Sequence, residues 1–385
     1  MTLRTVGVEE ELLLIDGGNS RPAAVGPEVV EAAAGSDRPL EHELKQEQVE
    51  IGSRPSTSIP AILAELRELR SAAARAAQAR GATIAAVATS PWKVEPQTTP
   101  DDRYARMTER FGLLARQQLT CGQHVHVAVA SRNEGVAVLD RIRGWLPVLT
   151  AISANSPFWQ GQDTDYASFR SVLWGRWPTA GPTDPFGDEA GYDQAVRELI
   201  ASGAAMDDGM IYFDARLSAR YPTIEIRVAD VCTDVEDAVL IAALARALVD
   251  TAGADWVSGK PTPAIRTALL RAASWRAARS GLSGELIDPR SGAPVPAWTL
   301  LEDLLQLLAG ALERSGDEGL VRVDSPGCAN TAPARTASGW HLGRGRVWTM
   351  SYQTLANGRC RAEFCASSLD YDGRRPRPPP SGVRL

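Results

Sequence analysis

The sequence predicts an α+β fold: a mostly antiparallel sheet, covered by helices, with an acidic, funnel-like active-site face. Two observations lead to this prediction. Three strand-like segments of the 385-residue chain each carry two polar side chains at alternate positions, and helical patterns of apolar residues lie between and after them. Folded into one sheet, the segments would place these polar groups on one face and leave the other face to the helices.

The first segment contains Gly7-Val8-Glu9-Glu10-Glu11 between apolar residues, several of them β-branched, which favours a strand. Glu9 and Glu11 would share one face, with Glu10 on the other. Two carboxylates on one face of a buried strand repel each other and lose hydration unless a cation lies between them. A divalent metal ion is the simplest such cation. The alternative is an exposed edge strand with solvated glutamates.

A second acidic segment, residues 42–52, is polar but alternates around a few apolar residues. Glu43 and Glu50 lie on different faces of a regular strand. Only a β-bulge or a second approach of the chain would therefore bring both to one centre. A charged surface hairpin is the alternative for this segment.

Residues 121–129 form the second strand-like segment, which contains His124 and His126 on one face of an apolar strand. Such histidines can be metal ligands, phosphate contacts or hydrogen-bonded core residues. Two of them at this spacing favour a functional site.

The third strand-like segment, residues 221–231, places Glu225 and Arg227 on one face. A cross-strand ion pair is one interpretation of these two residues. The other is a metal-binding glutamate beside an anion-binding arginine.

Arg170 and Arg176 lie among aromatic residues within residues 165–178. Arginines in such a setting can clamp a carboxylate or phosphate through two hydrogen bonds. Cation–π packing in a lid or wall is the alternative for each of them.

Further elements follow from capping signals and apolar spacing. Ser58 and Pro60 mark the start of the first helix, and Gly81 follows its end. A short buried strand is predicted at residues 83–88. Helices are predicted at residues 58–80, 134–152, 234–256, 264–280 and 296–314, and we expect the helices to cover the sheet.

Composition excludes several functional classes. The net charge of −6 implies no general affinity for nucleic acid. The five cysteines are odd in number and contain no Cys-x-x-Cys pair, which argues against a disulfide framework or a structural zinc site. The sequence shows neither a signal-peptide pattern nor an apolar run of membrane-spanning length, so we expect a cytoplasmic protein without membrane contact.

An excess of oxygen ligands favours Mg²⁺ or Mn²⁺ over zinc at the acidic face. Carboxylate-held Mg²⁺ usually works together with substrate phosphates. Since the sequence contains no P-loop and no kinase signature, ATP would have to be held mainly through the metal.

Five motifs in order along the chain give a family resemblance. They are Gly7-Val8-Glu9-Glu10-Glu11, Gly122-Gln123-His124-Val125-His126-Val127, Ala154-Asn155-Ser156-Pro157-Phe158-Trp159, Ser168-Phe169-Arg170 with Arg176-Trp177-Pro178, and Ile224-Glu225-Ile226-Arg227-Val228-Ala229-Asp230. With them the chain resembles the type 2 glutamate–cysteine ligase family, the YbdK-type carboxylate–amine ligases, over about residues 5–320. The resemblance implies a sheet related to that of glutamine synthetase. It also implies ATP-dependent joining of a carboxylate to an amine, with glutamate and cysteine as the reference substrates and Mg²⁺ (or Mn²⁺) as the metal.

The resemblance also implies roles for individual residues. The metal ligands would be Glu9, Glu11, Glu43, Glu50 and Glu225. The nucleotide side would involve His124, His126 and Arg227. Transferring charge would be stabilised by Arg170, Arg176 or Arg227.

Two other functions stay open at this point. One is a metal-dependent hydrolase that holds zinc or iron through His124 and His126. The other is an inactive scaffold of the ligase fold. A homo-oligomer is also compatible with the sequence, because helices that cover a sheet can equally form a dimer face.

The resemblance ends near residue 323. We therefore expect a catalytic domain at residues 1–323 and an irregular, basic, poorly ordered tail at residues 324–385. One hypothesis for the tail is a reading-frame shift in the coding DNA, which resequencing would test.

Overall fold

The computed structural model describes residues 3–35, 40–323 and 341–342, and it confirms the predicted α+β fold with an antiparallel main sheet. The strands among these residues are β1 (Val6–Asp16), β2 (Glu41–His42), β3 (Gln48–Gly52), β4 (Ala82–Ala85), β5 (Gly122–Ala128), β6 (Phe158–Trp159), β7 (Gln162–Asp163), β8 (Ala215–Leu217), β9 (Thr223–Asp230), β10 (Glu285–Ile287), β11 (Pro294–Pro296), β12 (Arg322–Val323) and β13 (His341–Leu342). The helices are α1 (Gly26–Ala33), α2 (Ile59–Gln78), α3 (Asp102–Phe111), α4 (Leu113–Gln117), α5 (Arg132–Ile142), α6 (Leu146–Ser153), α7 (Phe169–Trp174), α8 (Glu189–Ala201), α9 (Val235–Val257), α10 (Thr267–Ser280) and α11 (Ala297–Ser315).

The strand that contains the first acidic motif is central in the main sheet. The strand order is β2-β3-β1-β5-β9-β8, and every neighbouring pair is antiparallel. Strand β4 extends the sheet along the far end of β1, where Leu13 pairs with Gln48 on one side and Ala85 on the other. The registers place Glu9 opposite His124 and Glu11 opposite Glu50. Paired residues share a face, so these groups converge on one side of the sheet.

A β-bulge interrupts the pairing of β5 with β9. Gln123 pairs with Ala229 but Val125 pairs with Ile226, so Arg227 and Val228 together face the single residue His124. A bulge bends its strand and changes the direction of the side chains beyond it. Here it lies next to the histidine on which the acidic face is centred.

The opposite face of the sheet is the core. Val8 and Leu12 of β1 are fully buried there, and α9 packs against α2, α5 and α11 on this side of the molecule. Helix α2 begins as predicted, since the Ser58 hydroxyl accepts a hydrogen bond from the Ala61 N–H. Its buried stripe includes Leu66, and burial of one such side chain stabilises the fold by about 2 kcal/mol.

Several element boundaries differ from prediction, and the helical stretch predicted at residues 134–152 is two helices, α5 and α6. The helix expected from residue 264 begins at Thr267, because the Pro-x-Pro stretch at residues 261–263 favours an extended chain. The strand expected at residues 83–88 is Ala82–Ala85 and is only partly buried. The predicted tail at 324–385 lies outside the described residues, apart from the backbone of 341–342. No helix in the described part of the chain is both long enough and apolar enough to cross a bilayer.

Candidate active site

The acidic face is centred on Glu9, whose carboxylate lies between the two histidines of β5. His124 Nδ1 is 3.5 Å from Glu9 Oε2, and His126 Nε2 is 3.2 Å from Glu9 Oε1. Glu225 of β9 approaches the same centre, with its Oε1 4.0 Å from His124 Nδ1. One ligand atom from each of Glu9, His124 and Glu225 lies within 4.8 Å of the others. The predicted convergence of three strands on one centre is therefore observed.

The protonation states of this group are set by its neighbours. Burial alone would raise the pKa of Glu9, but hydrogen bonds with His124 and His126 outweigh it and lower that pKa. Burial and the positive charge of Arg227 lower the pKa of His124 to about 4. Near neutral pH, Glu9 is therefore a carboxylate and His124 a neutral imidazole, and both are in the form that binds a metal ion.

A second acidic group lies beside the first and consists of Glu11, Glu43 and Glu50. Strands β2 and β3 form a hairpin in which Glu41 pairs with Glu50, and the chain after β2 brings the Glu43 carboxyl into hydrogen-bonding contact with that of Glu50. The chain thus approaches β3 a second time, which is one of the two ways in which Glu43 and Glu50 were expected to reach one centre. Glu43 and Glu50 are only partly exposed, so the surface-hairpin alternative does not describe them.

The carboxyl groups of this second cluster retain protons more strongly than usual. Burial and the negative charge of Glu11 raise the pKa of Glu43 to about 7. Burial and the charge of Glu43 raise the pKa of Glu50 well above its ordinary value, and burial also raises the pKa of Glu11. Like charges at close range disfavour full ionisation of all three groups unless a cation joins them.

Glu225 has two arginine partners. Arg216 of β8 donates from Nε to Glu225 Oε2 at 2.7 Å, and Arg227 donates from Nη1 to Glu225 Oε1. Burial would raise the pKa of Glu225, but Arg227 and Arg216 outweigh it and keep this carboxyl ionised. Glu225 is therefore both an ion-pair partner and a member of the first group, which could hold a metal ion.

Arg170 of α7 lies beneath the second acidic group. Its side chain is 2% exposed, and its guanidinium lies against Gly122 at the start of β5. The N–H of Gly122 donates to Glu11 Oε2 at 2.6 Å. Asp230, whose Oδ1 is 4.0 Å from Arg170 Nη1, is held by the hydroxyls of Ser156 and Ser168. Arg170 is thus fixed between Glu11 and Asp230.

Arg170 and Arg227 share one aromatic neighbour. Their guanidinium carbons each lie 5.7 Å from the centre of the Trp174 ring, and that of Arg227 lies 5.9 Å from the Tyr212 ring. The Nε atoms of both arginines are buried and have no hydrogen-bond partner among the described residues. Two buried cations with spare donors can bind an anion at this position.

Arg176 has a different environment. It is exposed, and its guanidinium stacks over the Trp159 ring at 5.4 Å. Its observed contact is thus the cation–π packing that was the alternative at this position. A catalytic role for Arg176 stays a prediction without a contact that supports it.

Sequence reasoning missed two charged residues of this region. Arg216 lies on β8, and three residues are too few to show a strand period. Arg70 of α2 holds Glu10 on the core side through two hydrogen bonds of 2.8 and 2.7 Å. The pattern of apolar residues in α2 does not predict this ion pair, because Arg70 and its partner Glu10 are distant in sequence.

The first acidic group has the geometry of a divalent-metal site, and the second group has ligands of suitable chemistry. The first group offers two carboxylates and one imidazole, and the second offers carboxylates only, which suits Mg²⁺ or Mn²⁺. Burial first, and then repulsion between the carboxylates, raise the pKa of Glu43 and Glu50, and a bound cation would remove the repulsion. The first group contains one histidine, whereas the hydrolase alternative needs both His124 and His126 as ligands.

Comparisons with known proteins agree on one family. The model of glutamate–cysteine ligase family 2 matches residues 5–322. A Frankia alni protein, provisionally named glutamate–cysteine ligase 2-2, is 51% identical over 362 residues, which cover 90% of this chain and 94% of that protein. A Streptomyces avermitilis protein, provisionally named glutamate–cysteine ligase 2-1, is 50% identical over 318 residues, which cover 82% of this chain and 88% of that protein.

Solved structures share the fold at low identity. The glutamate–cysteine ligase of Francisella tularensis, solved in complex with AMP, has a TM-score of 0.54 at 12% identity and covers 82% of this chain and 79% of its own. A bifunctional glutathione synthetase from Pasteurella multocida has a TM-score of 0.57 at 13% identity, and the match covers 81% of this chain and 46% of that one.

Proposed function

Because the chain belongs to glutamate–cysteine ligase family 2, as the resemblance predicted, we propose that it is an ATP-dependent carboxylate–amine ligase. The reference substrates are glutamate and cysteine, and the reaction proceeds through an acyl phosphate. The observation that carries this proposal is the pair of acidic groups on one sheet face, with Arg170 and Arg227 beside them. Phosphoryl transfer requires this combination of metal-binding carboxylates and anion-binding cations.

The reaction has two steps. In the first, a substrate carboxylate oxygen attacks the γ-phosphorus of ATP, the bond from that phosphorus to the β,γ-bridging oxygen breaks, and ADP leaves. In the second, the amine nitrogen attacks the acyl carbon, the bond from that carbon to the phosphate oxygen breaks, and phosphate leaves as the amide forms.

The side chains of this chain have separate tasks in those steps. Glu9, His124 and Glu225 would hold one divalent ion, and Glu11, Glu43 and Glu50 a second. Such ions, when bound, neutralise charge on the phosphates. Arg170 and Arg227 would bind the anionic groups and stabilise the charge that develops on the transferring phosphoryl group.

The test is release of ADP and phosphate from ATP in the presence of Mg²⁺, with glutamate and a panel of amines that includes cysteine. We expect release that needs both an acid and an amine, together with an amide product. Release of ADP that does not depend on the acid or the amine would count against the ligase assignment. So would ATP binding without ADP release for every pair tested. Failure to bind ATP at all would favour the hydrolase or the inactive scaffold.

A further inference from the structure

A cavity of about 790 Å³ lies beside the acidic face and is used by none of the groups discussed so far. It lies between the start of α3, the β2 strand, the turn before β8 and the turn from β8 to β9. His42, Arg103, Tyr104, Gly209 and Arg220 are among its lining residues. Its volume is within the range of about 300–1,000 Å³ that is typical of small-molecule sites.

The walls of the cavity are connected to the catalytic carboxylates on two sides. His42 directly precedes Glu43, and its carbonyl accepts a hydrogen bond of 3.4 Å from the Tyr104 hydroxyl. On the other side, the Gly209 carbonyl accepts from Arg216, which is the partner of Glu225. Two walls of the cavity are therefore each connected through one residue to an acidic group.

The turn from β8 to β9 connects a third wall to the site. Tyr221 follows Arg220 in this turn and packs edge-on against His126 at 6.3 Å between ring centres. His126 contacts Glu9. The Ser218 hydroxyl accepts hydrogen bonds from the N–H groups of Arg220 and Tyr221, which fixes the turn.

The charged side chains that line the cavity have hydrogen-bond or ion-pair partners except at one residue. Arg103 and Asp207 form a pair with two hydrogen bonds of 3.0 and 2.9 Å. The Asp101 carboxylate accepts from the first N–H groups of α3. The guanidinium of Arg220 is exposed and has no ion-pair partner within the part of the chain that the structure describes.

This arrangement gives a ligand a defined direction. The acidic groups lie behind the lining residues His42, Tyr104 and Gly209, where the charges of Glu43 and Glu50 act on the Tyr104 hydroxyl. Arg220 lies in a different wall, the turn from β8 to β9. A molecule with both an ammonium and a carboxylate group would point its ammonium to the acids and its carboxylate to Arg220. A carboxylate at the inner end would be repelled by the glutamates.

We propose that this cavity binds the amine substrate of the ligase, and that Arg220 selects amines that carry a carboxylate, as α-amino acids do. The inference rests on the proposed ligase function and adds the position of the second substrate and the residue that selects it. The amine attacks the acyl carbon from this side, and its proton passes to the released phosphate or to water.

The test compares an amine with and without its carboxylate. L-cysteine and cysteamine differ only in that group. In Arg220→Met we expect the KM for L-cysteine to rise about 10-fold, the size of a lost charge-assisted hydrogen bond. The KM for cysteamine, glutamate and ATP should change less than twofold, and Arg220→Lys should restore part of the L-cysteine affinity.

Arg106→Met is the matched control. Arg106 is an exposed arginine of α3 that does not line the cavity, and its replacement changes the net charge by the same amount. Its KM values should match those of the wild type. An equal rise in the KM for glutamate or for ATP in Arg220→Met would assign the cavity to that substrate instead, and unchanged KM values throughout would remove Arg220 from substrate selection.

A binding measurement separates this inference from the ligase proposal. L-cysteine, other α-amino acids and their decarboxylated analogues are titrated into the Mg²⁺-loaded protein with glutamate and a non-hydrolysable ATP analogue. Binding of an amino acid that Arg220→Met weakens would support the cavity assignment even if no pair releases ADP. Wild-type protein that binds no amino acid other than glutamate would overturn it, whatever the turnover result.

Discussion

Gly122 leaves the space that the guanidinium of Arg170 occupies: a Cβ at Gly122 would lie 2.1 Å from Arg170 Nη2. The same glycine donates its N–H to Glu11. One residue without a side chain thus admits a buried cation and holds the carboxylate of Glu11, a proposed metal ligand, next to it. This relationship leads to the first prediction.

Gly122→Ala should reduce kcat by about 100-fold, because displacement of Arg170 by an ångström misplaces both Arg170 and Glu11. The measurement is ADP release at saturating substrates, with thermal unfolding to check the fold. Gly52→Ala is the control, since a Cβ there would meet Glu9 Cγ at an ordinary 3.8 Å. Equal loss of activity in both variants would show that the space above Gly122 is not required.

Glu9→Gln and Glu11→Gln should each abolish turnover but leave the fold intact, because their charges serve ligands and not core packing. Glu10→Gln should keep turnover but destabilise the fold. Glu10 is fully buried against Arg70, so its loss leaves an unpaired buried cation and should lower the free energy of unfolding by about 3 kcal/mol. Activity and chemical denaturation of the three variants are measured together. Full turnover in Glu9→Gln would contradict the metal-ligand assignment.

Arg227→Met should lose about 100-fold in kcat, as expected when one donor to developing charge is removed. Arg176→Met should change kcat only a few-fold, since its guanidinium packs on Trp159. Because Arg227 also pairs with Glu225, Arg227→Lys and a thermal unfolding curve distinguish lost catalysis from lost folding. A loss in Arg176→Met as large as that in Arg227→Met would restore Arg176 to the catalytic set.

The metal-free protein should become less stable as the pH rises from 5 to 8. Burial and Glu11 raise the pKa of Glu43 to about 7 in the folded protein, so between 4.5 and 7 the folded state holds more protons than the unfolded state. The stabilisation that Glu43 contributes to the folded state is complete below pH 4.5 and is lost as the pH rises through 7.

Mg²⁺ should reverse this trend, because a bound ion stabilises the ionised form, and its apparent affinity should increase over the same pH range. Denaturation in EDTA and in Mg²⁺ at pH 5, 6, 7 and 8 measures both effects. Glu43→Gln should show a weaker pH dependence in EDTA. An unchanged dependence in this variant would assign the effect to other groups.

The sequence by itself determined the class of the fold and most of the candidate site. The alternation in β1, β5 and β9 predicted which side chains share a face, and Glu9, His124 and Glu225 do converge. This is predictable because a strand repeats every two residues, so local spacing fixes orientation.

Tertiary structure decided the contacts between residues that are distant in sequence, which local spacing cannot predict. Glu43 joins Glu50 only because the chain approaches β3 a second time, and Arg216 reaches Glu225 from a strand too short to show a period. It also decided that Arg170 is buried beside Glu11 whereas Arg176, six positions later, is exposed on Trp159. The same residue type in the same aromatic stretch has different environments, because burial depends on which distant strands and helices pack around it.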